Sequence, residues 1–73
     1  MGRLANLKRD RIIRAFARAG WKAEEGRRHT NLTKEGNPYI LSVPRHRKVK
    51  EKLLTHLIKL AGLTVDEFLE LYH

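Results

Sequence analysis

The spacing of apolar residues changes twice along this chain, and those two changes limit the fold more than any single motif. Leu4, Leu7, Ile12, Ile13, Phe16 and Ala17 recur mostly every three or four positions, with Lys8, Arg9, Arg11, Arg14 and Arg18 between them. That is the pattern of an amphipathic helix ending near Ala19, with Gly20 as its stop. The arginines near its end suit the negative pole of the helix dipole. Beyond Gly20 the period drops to two. Trp21 and Ala23 share one face of a short extended segment, Trp21 to Glu24, which Gly26 interrupts. Arg28, Thr30 and Leu32 then alternate with His29, Asn31 and Thr33, the signature of a second strand. Lys34-Glu35-Gly36-Asn37-Pro38 is turn chemistry, and Tyr39 to Val43 (YILSV) has the β-branched and aromatic content of a third strand closed by Pro44.

From about Lys48 the helical period returns. Val49, Leu53, Leu57 and Leu60 lie on one stripe, flanked by Leu54, Ile58 and Ala61, and Gly62 ends it. Thr64 and Glu67 then fit a capping box, with Leu63 and Phe68 placed to staple it, so a short helix to about Tyr72 follows. The expected fold is α+β: helix, three-stranded antiparallel meander, helix and a short terminal helix, with the helices on one face of the sheet. The chain has 73 residues and no cysteine. One domain over residues 1–73 is therefore expected, held by packing rather than by disulfides or a thiolate metal site. No apolar run approaches the roughly 20 residues of a membrane span, and the N-terminus lacks a signal-peptide pattern; a cytoplasmic protein is the simplest reading.

Charge narrows the function. The formal net charge is +8, and it is unevenly spread: Met1 to Lys50 carries fourteen Lys/Arg against four acids, Glu51 to His73 two against four. A basic surface built from the first two-thirds of the chain suits nucleic acid or an acidic partner.

Two stretches could carry chemistry. In Glu25-Gly26-Arg27-Arg28-His29-Thr30, strand alternation points His29 away from the core, beside Arg27 and Arg28. Imidazole, with a pKa of about 6.5, can take the 2′-hydroxyl proton of RNA at neutral pH, and guanidinium groups can hold the phosphate and steady developing charge. Pattern alone does not separate this role from that of an ordinary exposed histidine. The second stretch is Val43 to Lys50, where Arg45, His46, Arg47, Lys48 and Lys50 crowd the expected start of a helix with no side-chain cap. Cations are at the wrong end of the dipole there, and a bound phosphate would satisfy both them and the open amides; a solvated charge run is the plainer alternative. His46 could be a second proton-transfer group or only a phosphate contact. His56 and His73 are expected to be bystanders. The four histidines have no HxxxH spacing, so no metal and no cofactor is expected. Trp21 is expected in the core rather than stacked on a base.

Gly20-Trp21, the run Glu25 to Thr30 (EGRRHT), Val43 to His46 (VPRH) and the ending LIKLAGLTVDEFL together resemble HicA-type toxins. These are small mRNA-cleaving proteins of toxin–antitoxin modules, and the resemblance runs from about Leu7 to Leu71. It implies a fold similar to the double-stranded-RNA-binding domain, in agreement with the order of elements. It also implies a catalytic histidine on the second strand just after a glycine, here Gly26 and His29. A common form of the family has one residue between the two. Here Arg27 and Arg28 both intervene and Thr30 follows, which fits a longer form. The family further implies mRNA as substrate and a HicB-type antitoxin as partner. Arg27, Arg28, Arg45, Arg47 and Lys48 are then the candidate phosphate-binding residues. A non-catalytic RNA-binding module on the same fold is the alternative, with a DNA-binding three-helix protein behind it.

Overall fold

The computed structural model describes residues 3–73; the first two residues of the expected domain lie outside the described ones. The elements run α1 (Arg9–Arg18), β1 (Lys22–Glu25), β2 (His29–Lys34), β3 (Asn37–Pro44), α2 (Glu51–Leu60) and α3 (Val65–Leu71). The strands form one antiparallel sheet in the order β1-β2-β3. This is the expected α+β architecture, consistent with the fold of the double-stranded-RNA-binding domain. Among the described residues, no helix is long and apolar enough to cross a membrane.

Helix α1 buries Ile12, Ala15 and Phe16 and exposes Arg11, Arg14 and Arg18. It ends where expected. Gly20 takes φ +100°, and the Trp21 amide reaches back to the Phe16 carbonyl at 3.1 Å, a Schellman closure that a residue with a Cβ resists. Gly62 repeats the device after α2 at φ +76°, with the Leu63 amide on the Ile58 carbonyl. The start of α1 differs from the sequence expectation. Leu4 is buried and Leu7 half-buried, but Asn6 stands at φ +61° and the helix begins only at Arg9. Both leucines reach the core from a turn. Val49 likewise is buried ahead of α2, and that helix presents Leu54, Leu57, Ile58 and Ala61 most deeply, leaving Leu53 and Leu60 half-buried.

Leu32, Leu41 and Val43 of the sheet are fully buried against the helices, together with Phe16, Leu54 and Phe68. Trp21 is 3 % exposed, as expected of a core residue, and its indole nitrogen has no hydrogen-bond partner among the described residues. Helix α3 lies against α1, with the Phe16 and Phe68 rings 5.1 Å apart, and is started by the expected capping box: Thr64 Oγ1 accepts from the Glu67 amide at 3.0 Å and Glu67 Oε1 from the Thr64 amide at 2.8 Å. The opposite sheet face is open. It carries His29, Asn31 and Thr33 of β2 beside Ile40, Ser42 and Pro44 of β3, and Asn31 Oδ1 accepts from Ser42 Oγ at 3.0 Å.

Candidate active site

His29 is placed by a tight reversal. The Glu25–Thr30 pairing leaves only four residues to turn the chain, and the Gly26 amide donates to the His29 carbonyl at 2.8 Å. Arg27 and Arg28 are thus the two residues at the tip of the hairpin, both exposed. The expectation that Arg28 begins β2 is corrected: the strand begins at His29, because both arginines are needed to reverse the chain. Gly26 has a second reason to lack a side chain. A Cβ there would stand 2.7 Å from the His29 carbonyl oxygen. The imidazole of His29 is on the exposed side of the sheet, as alternation predicts.

The next residue faces inward. Thr30 is fully buried, and a buried hydroxyl needs partners. It donates to Glu25 Oε1 at 3.0 Å and accepts from the guanidinium of Arg9, which also donates from Nε to the Pro44 carbonyl at 3.0 Å. Glu25 Oε1 in turn accepts from Arg45 at 2.7 Å, and Arg45 also donates to the Gly26 carbonyl at 2.6 Å. One carboxylate and one hydroxyl therefore tie the start of α1, the β1–β2 hairpin and the end of β3 together. Two members of this network are chain neighbours of the histidines: Thr30 of His29 and Arg45 of His46.

The segment Arg45 to Lys50 forms no helix. It bends away from β3, pairs with the chain ahead of α1 through a Lys8–Lys48 bridge and an Arg9 amide to Arg47 carbonyl bond of 3.0 Å, and only then enters α2 at Glu51. The expected crowding of cations on a helix start is corrected accordingly: Lys50 is the N-cap, without a side-chain cap bond, and Arg45 to Lys48 form a loop in front of it. That loop brings His46 back toward His29. The two histidines border one cleft with Pro44, Ser42, Lys48 and Lys50, and a second with Arg27, Arg28 and Arg45. A third cleft, bordered by the same loop, is lined by Lys8, Arg9, Asp10, Arg47 and Lys48, again with Arg45 and His46. His46 borders all three.

The candidate residues separate into two kinds. Arg45 is committed to Glu25 and Gly26. Arg27, Arg28, Arg47 and Lys48 enter no ion pair or side-chain hydrogen bond among the described residues. The sequence reading missed Lys8, which lies on the third cleft, and Arg9 and Glu25, which brace the loop and the hairpin; Lys50, one of the cations of the Val43–Lys50 stretch, borders the cleft of His29 and His46. The inward position of Thr30 was the available signal, since a hydroxyl in register with Leu32 implies polar partners. His56 is on the exposed side of α2 and His73 is near the chain end; neither borders these clefts. Among the described residues, no group of three or more histidines and carboxylates comes together as a metal site would require.

Fold and site together define a small basic α+β domain with a histidine-bearing hairpin set against a cationic loop. A family model described as the HicA toxin of bacterial toxin–antitoxin systems matches residues 9–63, from the first residue of α1 to just past α2. The chain belongs to the HicA toxin family. It is the toxin component of a toxin–antitoxin module, and membership implies an antitoxin as partner. No curated protein and no solved structure gives a significant match.

Proposed function

We propose that the chain is a metal-independent endoribonuclease that cleaves mRNA in the cytoplasm. His29 takes the proton of a ribose 2′-hydroxyl. The oxygen then attacks the adjoining phosphorus, and the bond to the 5′-oxygen of the next nucleotide breaks. The products are a 2′,3′-cyclic phosphate and a 5′-hydroxyl, and His46 returns a proton to the leaving oxygen. Arg27, Arg28 and Arg45 supply positive charge to the reacting phosphate, Arg45 from a side chain also engaged with Glu25, and Arg47 and Lys48 hold phosphate farther along the same strand. A HicB-type antitoxin would silence this surface by covering it, and an acidic face on that partner would match the unpaired cations.

The observation that carries this reading is that His29 and His46 border a common cleft, with two unpaired arginines at the hairpin tip beside it. The test is to incubate single-stranded RNA with the purified protein and with His29→Ala in the presence of EDTA. Cleavage by the wild type to cyclic-phosphate ends, lost in His29→Ala, is the expected result. Cleavage unchanged in the variant removes His29 from the mechanism, and loss of wild-type cleavage in EDTA removes the metal-free scheme. RNA that is bound with steep salt dependence yet recovered intact would favour a non-catalytic binding module.

A further inference from the structure

The third cleft, between the chain ahead of α1 and the loop ahead of α2, shares His46 with the reacting clefts and reaches beyond them to Lys8. Its charged lining is cationic except for Asp10, which pairs with Arg9 at 3.6 Å. Arg9 and Arg45 are consumed in the network around Thr30 and Glu25. Lys8, Arg47 and Lys48 are left, all exposed, with no ion pair or side-chain hydrogen bond among the described residues. The backbone holds them together: the Lys8–Lys48 bridge and the bond from the Arg9 amide to the Arg47 carbonyl fix the two segments side by side. Like charges on segments paired through the main chain repel one another where they come within the roughly 10 Å screening length of ordinary salt. An anion in the cleft turns that repulsion into attraction.

The anion has a source. The cleft shares His46 and Lys48 with the one that His29 borders, so a strand whose reacting phosphate lies between the two histidines continues around the Arg45–Lys48 loop. We propose that Lys8, Arg47 and Lys48 form a second phosphate subsite, which takes the phosphate of a neighbouring nucleotide of a single-stranded RNA. This rests on the ribonuclease reading for the identity of the strand. It adds that the substrate must extend beyond the scissile step, and that Lys8, outside the loop, is a binding residue.

The test measures binding apart from cleavage. Uncleavable 2′-O-methyl RNA oligonucleotides of two to eight residues are titrated with wild type, Lys8→Gln/Arg47→Gln and His29→Ala across a salt series. Both replaced side chains are exposed, and the backbone bonds of Lys8 and Arg47 remain, so thermal unfolding should match the wild type. The expected result is that the double variant binds the longer oligonucleotides on the order of tenfold more weakly. Its plot of log affinity against log salt should be shallower by about 0.7 or more, as for a lost phosphate contact. The dinucleotide should bind both proteins alike, and His29→Ala should keep the wild-type slope. An unchanged slope, or an equal loss for the dinucleotide, overturns the subsite. A loss seen with duplex but not with single strands overturns the single-stranded substrate. If the slope falls as expected while ordinary RNA is recovered intact, the subsite stands and the ribonuclease reading fails.

Discussion

Arg45 donates to Glu25 Oε1 at 2.7 Å across twenty residues of chain, and the bond latches the loop that carries His46 onto the hairpin that carries His29. Both side chains are about half exposed, at 44 % and 63 %, so the pair contributes at most about 1 kcal/mol to stability. Its effect is on position. Arg45 reaches the Gly26 carbonyl in the same gesture, and Gly26 closes the turn through His29.

Glu25→Gln keeps an oxygen near Arg45 and removes the charge that holds it. The denaturation midpoint should move little, while kcat for RNA cleavage should fall about tenfold with KM unchanged or lower, because misplacement affects the reacting geometry more than binding. Steady-state kinetics decide this. A raised KM with kcat intact would show that Glu25 acts on binding alone.

Thr30→Val tests the buried centre of the same network. Valine matches the shape but removes the donor to Glu25 and the acceptor for Arg9, whose side chain is only 15 % exposed. Leaving buried polar groups short of a partner costs about 1–3 kcal/mol, and urea unfolding should show a loss of that size. Thr30→Ser should recover most of it. A neutral valine substitution would mean that water replaces the hydroxyl at no cost.

Much of this was open to a sequence reading and some was closed to it, for one physical reason. Apolar periodicity records which residues are buried, so it placed His29 outward and Leu32 inward correctly; the turn read over Lys34 to Pro38 is narrower in the structure, where Lys34 ends β2, Asn37 and Pro38 begin β3, and only Glu35 and Gly36 lie between. Periodicity does not record how a buried residue arrives. Leu4 and Val49 have the spacing of helix residues but enter the core from outside the helices, Leu4 from a turn and Val49 from extended chain, because Asn6 breaks the first run and the chain is extended at Lys50. The bracing pairs were out of reach altogether: Arg9 meets Thr30 and Arg45 meets Glu25 some twenty positions apart, and no local pattern encodes that. The paired state of Arg45, and the free state of Lys8, follow only from three-dimensional placement.

Phe68→Ala separates the support from the site. Phe68 is fully buried and packs on Phe16 at a centroid distance of 5.1 Å, so its loss should cost about 3–5 kcal/mol. A domain of this size has a net stability of about 4–11 kcal/mol, so the variant should be partly unfolded or melt far below the wild type by circular dichroism. Thr64→Ala, which removes only the cap of the same helix, should cost about 1 kcal/mol and leave the protein folded. Equal losses from the two would mean that α3 is docked by its start rather than by its ring.

Gly26→Ala probes the histidine with every titrating group left in place. A Cβ at this position meets the His29 carbonyl oxygen at 2.7 Å, and that oxygen is backbone, so it cannot swing aside as a long side chain would. The hairpin must open, weakening the bond from the Gly26 amide and moving the first residue of β2. The network behind it, Arg9 to Thr30 to Glu25, resists any shift of the rest of the strand. Displacement should therefore fall on Gly26 to His29. RNA cleavage should drop by about a hundredfold, the scale of a misplacement near 1 Å, while the amide spectrum changes mainly around residues 25–30 and the core signals of Phe16 and Leu41 stay put. Full activity with the alanine in place would show that the register between Gly26 and His29 is not what positions the imidazole.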